Sequence, residues 1–275
     1  MRRALVTTLR IWGKEWRGIA KEVFEDEGCA AARELLDRGL AELSRREGAP
    51  KRMGETAYAE TLMDLMRLVL LRNETISLTA ITEPVEFAAL HLLDSLACGG
   101  LPELESAKEI IDVGSGPGFP GLPLAALYPE KTFLLTDSLR KRIEFAAFAA
   151  DALGLKNVDA LHSRAENAGR DPALRERFDL ALCRAVGKMP VILEYSLPLV
   201  RTGGAGIYYK TIAAEGEIEE SVLARELLGG SAEVRAMEYA DLLPGRRHVL
   251  FIVKKERATP GSYPRREGIP SKVPL

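Results

Sequence analysis

The sequence predicts an α/β chain organised around a doubly wound, mostly parallel sheet. Three observations carry that expectation. Short apolar runs alternate with helix-compatible segments along most of the 275 residues, the order that feeds strands into a parallel sheet through helical crossovers. The run Ile110-Ile111-Asp112-Val113 passes straight into Gly114-Ser115-Gly116-Pro117-Gly118-Phe119-Pro120-Gly121, and then into the apolar Leu122, Leu124, Ala125, Ala126 and Leu127. That is a strand covered on both faces, a turn whose glycines allow angles a Cβ forbids, and a helix whose N-terminus faces the turn. The next apolar run, residues 132–136, ends on an acid, Asp137. Sheets of this kind take their ligands at the carboxyl ends of the strands.

In chain order, residues 1–19 carry Arg2, Arg3, Arg10, Lys14 and Arg17 beside Leu5, Leu9, Trp12 and Trp16. This basic stretch is compatible with a surface-binding helix or a solvated extension, and residues 1–27 are set apart as an N-terminal basic extension. Ala32, Leu35, Leu36, Leu40 and Leu43 predict a helix over residues 29–46, and Pro50 and Gly54 break it; Leu62, Leu65, Met66, Val69 and Leu70 mark a second helix over residues 55–72. Together these make a small N-terminal helical cap, residues 28–75, ahead of the sheet domain, residues 76–255. Thr82 is expected to cap the next helix, with Pro84 in its first turn. On that helix His91 and Asp94, three apart, share a face.

A helix over residues 138–153 follows Asp137, with Ser138 in its first turn. Strands are expected at residues 158–161, 178–183 and 205–209, the last after a turn-rich passage at 198–206. One helix near residues 215–228 and a closing hairpin, residues 232–239 and 248–253, complete the sheet with an antiparallel edge. The tail, residues 256–275, contains Pro260, Pro264, Pro270 and Pro274, which are expected to deny it a helix. Residues 254–272 hold six basic residues against two acidic ones. An extended basic arm with Tyr263 for stacking suits RNA phosphates and bases, and an ordinary disordered terminus has the same composition.

Spacing within the glycine turn selects among ligands. A dinucleotide-binding loop reads G-x-G-x-x-G and needs glycine at position 119, where Phe119 stands. The G-x-G-x-G of Gly114, Gly116 and Gly118 suits a loop laid against the amino acid and ribose of S-adenosylmethionine, which has no pyrophosphate to cradle. Asp137, 23 positions past Gly114, can accept from both ribose hydroxyls, with Ser138 beside it. A backbone N–H at Ala165 or Glu166 can read the adenine edge. Arg184, directly after a buried strand, can close on the methionine carboxylate or on a substrate phosphate. The plainer readings are a helix cap for Asp137, a structural histidine for His91 and a surface arginine for Arg184.

Bulk properties narrow the class. A net charge of −2 excludes a globally basic protein, so nucleic-acid contacts must come from local patches. Cys29, Cys98 and Cys183 fit neither a zinc spacing nor a disulfide framework, so no metal is expected and a reducing cytoplasm is the expected setting. No apolar run approaches the roughly 20 residues that cross a bilayer, and no membrane partner is expected.

These residues, taken in order, resemble a known family. Leu78-Thr79-Ala80-Ile81-Thr82, His91-Leu92-Leu93-Asp94-Ser95-Leu96, the run 112–121, Asp137-Ser138-Leu139-Arg140-Lys141-Arg142, Arg164-Ala165-Glu166, Arg184-Ala185-Val186, and the tail with Tyr263-Pro264-Arg265-Arg266 and Pro270-Ser271-Lys272 are similar to the bacterial 16S ribosomal RNA guanine-N7 methyltransferases, also called glucose-inhibited division protein B. The resemblance covers residues 55–275. It implies a Rossmann-like class I S-adenosylmethionine-dependent methyltransferase with a mostly parallel seven-stranded sheet. It also implies cofactor contacts at Gly114, Phe119, Ala165, Glu166 and Arg184, with Gly116 and Gly118 in the turn and Asp137 and Ser138 beside the ribose. The implied substrate is N7 of guanine 527 of 16S ribosomal RNA, free or in a small-subunit assembly intermediate, met by a monomer. Lys210, Tyr263, Arg265, Arg266 and Lys272 are the expected RNA contacts. Departures from the family pattern are Arg72-Asn73-Glu74, Ser77, Leu90 and Thr211, mostly on the RNA-facing side.

Guanine N7 carries a lone pair and no proton, so the implied reaction needs no general base and Arg184, His91 and Asp94 are positioning candidates. Three other readings stay open: a same-fold methyltransferase acting on a small molecule or protein, a nicotinamide oxidoreductase, and a catalytically silent RNA-binding module.

Overall fold

The computed structural model describes residues 16, 24, 26–214, 216–239 and 248–275. The expectation for residues 1–19 therefore lies outside the described residues except at Trp16, which is buried. Helix α1 (Glu27–Leu43) starts where the Asp26 carboxylate accepts the Cys29 N–H at 2.9 Å. It buries Ala32, Leu36, Leu40 and Leu43 as one stripe. Helix α2 (Thr56–Asn73) is buried along most of its length. Its last residue organises the loop beyond it: Asn73 Oδ1 accepts from the N–H groups of Leu78 and Thr79, and its Nδ2 donates to Thr79 O. Helix α3 (Pro84–Phe87) has Pro84 in its first turn but Glu83 as its N-cap with no side-chain cap bond, so Thr82 does not fill the expected role. It runs on as a π-helical turn, Ala88–Leu93, a form of helix often found at functional sites.

After a short helix α4 (Pro102–Ser106), strands and helices alternate: β1 (Glu109–Val113), α5 (Gly121–Leu127), β2 (Thr132–Asp137), α6 (Arg140–Leu153), β3 (Val158–His162), α7 (Ala165–Ala168), β4 (Phe178–Arg184), α8 (Met189–Ser196), β5 (Val200–Thr211), α9 (Gly216–Glu220), α10 (Val222–Leu228), β6 (Arg235–Tyr239), β7 (His248–Lys254) and α11 (Ile269–Lys272). The seven strands form one sheet in the order β3-β2-β1-β4-β5-β7-β6. Strands β1 to β5 pair in parallel, and β7 pairs antiparallel with both β5 and β6. This is a doubly wound, Rossmann-like sheet of seven strands, as the resemblance implies. The closing hairpin forms the expected antiparallel edge, with β6 outermost and β7 between it and β5.

Alternation along the strands divides the core between two faces. Ile110, Ala205, Ile207, Leu250 and Ile252 join α1, α2, α5 and α6 in one cluster, while Ile111, Val113, Tyr208, Val249 and Phe251 join α8 and α10 in the other. The helical cap and one face of the sheet thus share a continuous core across the boundary at residues 75 and 76. No helix among the described residues is long and apolar enough to cross a membrane.

Four expectations are corrected by local bonds. Helix α6 begins at Arg140, leaving Ser138 outside it, because Asp137 Oδ1 accepts the Leu139 N–H at 2.7 Å and holds the chain in a turn. The passage at 198–206 is mostly strand. Strand β5 starts at Val200, and its register against β4 jumps from Phe178↔Val200 to Leu180↔Ala205, so the glycines mark an irregularity inside a strand. The single helix near 215–228 is two, divided at Ser221, whose hydroxyl donates to Ile218 O. Finally, the tail does contain a helix, since Pro270 sits in the first turn of α11, where the missing N–H breaks no helical bond.

The tail is packed rather than extended. Lys255, 1% exposed, donates to Leu197 O, Leu228 O and the Thr259 hydroxyl. Arg175 donates to Thr259 O and Tyr263 O. Arg265 makes a two-pronged pair with Glu194, Nε–Oε1 2.9 Å and Nη2–Oε2 2.6 Å, and Glu194 is 0% exposed. Removing one partner of a buried pair leaves an uncompensated charge. Arg265→Ala should therefore cost about 3 kcal/mol in urea unfolding, against about 0.5 kcal/mol or less for the neighbouring, exposed Arg266→Ala. Equal losses in the two variants would show that the pair does not anchor the tail.

Candidate functional site

Two clefts open at the carboxyl ends of the strands. The narrow one, about 290 Å³, is lined by residues of the β1, β2, β3 and β4 ends, among them Gly114, Asp137, Ser138, Ala165, Glu166 and Ala185. The wider one, about 690 Å³, is lined by Ile81, Leu90, His91, Asp94, Arg184, Ala185, Tyr209, Lys210, Thr211, Glu217 and His248. Ala185 lies in both. It is one of two described non-glycine residues with positive φ, at 56°, a left-handed conformation that costs an L-residue about 1–2 kcal/mol. Backbone strain of this kind collects at functional sites.

The glycine turn is braced from β2. Thr136 O accepts the N–H groups of Gly114 and Ser115, and Asp137 Oδ2 accepts the Gly116 N–H at 2.9 Å. Both Asp137 oxygens therefore already hold backbone, and each keeps lone pairs for a ligand. Gly116 has φ 57°, and a Cβ built there meets nothing within 4 Å. At Gly114 a Cβ would lie 2.7 Å from Val186, so β4's following loop packs directly on the turn. Gly118 and Phe119 donate their N–H groups to Ser115 O and close the turn. Phe119's ring is buried, 3% exposed, and faces away into a stack with His91.

Behind the turn lies Asp112, fully buried. Its Oδ2 accepts the Gly121 N–H at 2.8 Å, while its Oδ1, like the Ser115 hydroxyl, has no hydrogen-bond partner among the described residues. Burial pushes the Asp112 carboxyl up to about 7, with nearby Asp137 adding to the rise and the Gly121 N–H and Arg184 opposing it. By its sequence Asp112 reads only as a strand residue; its single signal is an acid inside an otherwise apolar β-run.

The wider cleft is organised by Arg184. Its Nη1 donates to Leu90 O at 3.0 Å and to Asp94 Oδ2 at 2.9 Å, its Nη2 donates to His91 Nδ1 at 3.1 Å, and its guanidinium stands 5.5 Å from the centre of the Phe119 ring. His91 and Asp94 thus meet through Arg184. Asp94 Oδ1 also pairs with His248 Nδ1 at 2.7 Å. His248 was no candidate from sequence. It reaches the cleft because antiparallel β7 sets it opposite Thr211. Because a guanidinium only donates, His91 Nδ1 must accept, so its proton sits on Nε2 and is donated to the Thr79 hydroxyl at 2.8 Å. The imidazole stacks on Phe119 with ring centres 4.9 Å apart and meets Phe87 edge-on at 4.7 Å. Burial first, then the Arg184 charge, lower its pKa to about 3, against an opposing pull from Asp94.

Of the expected RNA contacts, Lys210 lines the wider cleft with its ammonium on Gly187 O and Glu217, both at 2.6 Å. Arg265 is paired with Glu194, Tyr263 is partly buried, and Arg266 and Lys272 are exposed.

Neutral His91 has a consequence for stability. Above pH 6.5 both folded and unfolded chains carry it uncharged. As pH falls from 6.5 toward 3 the unfolded chain takes up a proton that the folded chain refuses, so stability is lost at up to about 1.4 kcal/mol per pH unit. Asp112 acts in the opposite sense, losing stability as pH rises from its ordinary 3.8 to about 7, so the variant comparison isolates the histidine. Urea unfolding at pH 6.5 and 5 should show a steeper acid loss for the wild type than for His91→Gln. Parallel losses would mean that His91 titrates normally.

A family model described as rRNA small subunit methyltransferase G matches residues 58–240. The ribosomal RNA small subunit methyltransferase G of Desulfitobacterium hafniense (strain Y51) is 42% identical over 204 residues, 74% of this chain and 83% of that protein. The protein of the same name from Symbiobacterium thermophilum is 39% identical over 253 residues, 90% of this chain and 99% of that protein. A crystal structure of M. jannaschii TYW2 in complex with AdoMet is 20% identical, covers 56% of this chain and 73% of its own, and has a TM-score of 0.46. By the family model and the two sequence relatives, the chain belongs to the rRNA small subunit methyltransferase G family.

Proposed function

We propose that the protein transfers a methyl group from S-adenosylmethionine to N7 of a guanine in 16S ribosomal RNA, the guanine that family resemblance puts at position 527. The single observation that carries this reading is the junction at Ala185, where a narrow cleft of nucleoside dimensions meets a wider one at the strand ends. A donor in the first and a base in the second would face each other across one residue.

The residues present fit the donor. The unpartnered buried Asp112 Oδ1 and Ser115 hydroxyl behind the turn suit its cationic amino-acid end, and the open face of Gly116 leaves room for it. Asp137, with Ser138 beside it, would hold the ribose, and the backbone at Ala165 and Glu166 the adenine edge; Gly114, Gly118 and Phe119 would shape the turn. Arg184 keeps its Nε–H and one Nη2 hydrogen beyond the bonds described, donors suited to the methionine carboxylate. When bound, S-adenosylmethionine supplies an electrophilic methyl on a sulfonium.

The chain's own part is to align and to stabilise. Guanine N7 has a lone pair and no proton, so no side chain need act as a base, and holding the two groups in line supplies most of the rate. The base becomes cationic on methylation. A neutral His91 adds no opposing charge, and the Asp94 carboxylate, shared between Arg184 and His248, offers a negative one. N7 lies on the Hoogsteen edge, which is accessible in loops and unpaired segments. The exposed Arg266 and Lys272, with Lys210 at the cleft, would meet phosphates, Tyr263 a base, and Arg265 would serve mainly by anchoring the tail. A soluble cytoplasmic setting, monomeric action and the absence of a metal belong to the same reading.

Mass mapping of 7-methylguanosine in 16S ribosomal RNA should find one modified guanine missing when the gene is deleted and restored by the wild-type gene. A complete methylation map in the deletion strain would refute the assignment. Gly116→Val should cost at most about 2 kcal/mol of stability from its left-handed backbone yet weaken S-adenosylmethionine binding by about 100-fold or more, since the added methyls enter ligand space; urea unfolding reads the first quantity and calorimetric titration the second. Replacing Arg266 and Lys272 together by Ala should lower RNA affinity and reduce the slope of log affinity against log salt by about 2, and an unchanged slope would remove both from the interface.

A further inference from the structure

Two residues on one side of the narrow cleft are held by the C-terminal tail. Arg164 pairs with Glu267 at 2.6 Å, and Glu166 Oε1 accepts the Gly268 N–H at 2.9 Å. Arg164 and Glu166 both line the cleft. Glu166 is 2% exposed, and the Gly268 N–H is the hydrogen-bond donor its carboxylate meets among the described residues. A buried acceptor that loses its donor carries the full cost of desolvation, so its position depends on that donor. The strap that delivers Gly268 is itself fixed upstream by Lys255, Arg175 and the Arg265–Glu194 pair. Arg170 adds a bond to Pro264 O at 2.8 Å.

We infer that residues 267 and 268 brace the wall of the nucleoside cleft that Arg164 and Glu166 line and that, by holding Glu166, they set the affinity for the adenosine end of S-adenosylmethionine. The inference rests on the reading of that cleft given under Proposed function. Charge and prolines in the tail suggest an arm for RNA, but its inward-facing bonds go to the walls of the cofactor cleft. Gly268 touches no reacting atom and acts through Glu166, so it is a positioning residue. Its effect belongs on cofactor binding and KM rather than on the methyl-transfer step.

Gly268→Pro tests this directly, because proline has no N–H and cannot adopt the φ of 76° found there. A second variant, Glu267→Gln, removes the charge paired with Arg164, leaves the backbone intact and serves if the first disturbs folding. The full chain, without RNA, is titrated with S-adenosylmethionine and with 5′-methylthioadenosine, which carries the nucleoside without the amino acid. Gly268→Pro should raise Kd for both ligands by the same factor, about tenfold, as expected for loss of one hydrogen bond to a buried charged group. Glu267→Gln should raise both by about threefold. KM for S-adenosylmethionine should follow, with kcat within about twofold of wild type. Unchanged Kd in both variants overturns the inference, and so does a loss confined to S-adenosylmethionine, which would put the effect at the amino-acid end. If the wild type binds neither ligand, the reading of the cleft itself fails, and the inference falls with it.

Discussion

The functional end of the molecule depends on where one guanidinium is held. Arg184 ends β4, yet its partners come from the π-helical turn after α3: Leu90 O, His91 and Asp94. The side chain is 12% exposed and that of Asp94 6%, so the pair is desolvated and each member depends on the other. Through it the sheet and the helical layer are joined by directed bonds as well as by apolar packing. Phe119 lies under the guanidinium and against His91, which makes the glycine turn, the π-turn and the β4 end parts of one assembly. A displacement of any one of them reaches the other two, and both clefts share Ala185, the residue after Arg184.

Much of this was legible because it follows from periodicity and from glycine. The strand at 110–113, the turn, the second strand ending at Asp137 and the helices of the cap are read from local patterns, and they fall within a few residues of where they were expected. What was hidden depends on pairing between distant segments. Nothing near residue 248 says that β7 will insert between β5 and β6 and bring His248 to Asp94. Nor does spacing predict that Asp137 will hold Gly116 and Leu139, moving the start of α6 past Ser138. The first part of β5, ahead of residue 205, was masked by its own glycines, because a turn and a break in ladder register draw on the same residue types.

The tail carries the sharpest version of that limit. Its prolines and basic residues describe a segment unable to form a long helix, which is correct, and an extended arm, which does not follow from it. What decides the matter is Glu194, an acid inside the apolar helix Met-Pro-Val-Ile-Leu-Glu-Tyr-Ser of α8. A carboxylate buried to 0% exposure must find a cation, and Arg265 is the one that reaches it. The buried acid in α8 was the available signal that some basic segment would be drawn inward. Once Arg265 is fixed, Glu267 and Gly268 come within reach of Arg164 and Glu166 on one side of the narrow cleft.

Charge then separates the ligands the fold could take. Around the two clefts stand four largely buried carboxyl groups, Asp94, Asp112, Asp137 and Glu166, at 4%, 0%, 7% and 2% exposure, with Arg142, Arg164, Arg184 and Lys210 as cations lining the same clefts. The rise of Asp112 to about 7 reflects burial, which outweighs the Gly121 N–H and the Arg184 charge that favour its ionised form. A dinucleotide would bring a pyrophosphate of the same sign to this turn, where Phe119 replaces the glycine that would let backbone approach it. A sulfonium with an ammonium group beside it brings the opposite sign and would stabilise the ionised form of Asp112. On the function proposed above, the buried acids would favour a cationic nucleoside over a dinucleotide, as the spacing of the glycines would, and these two properties are independent of each other.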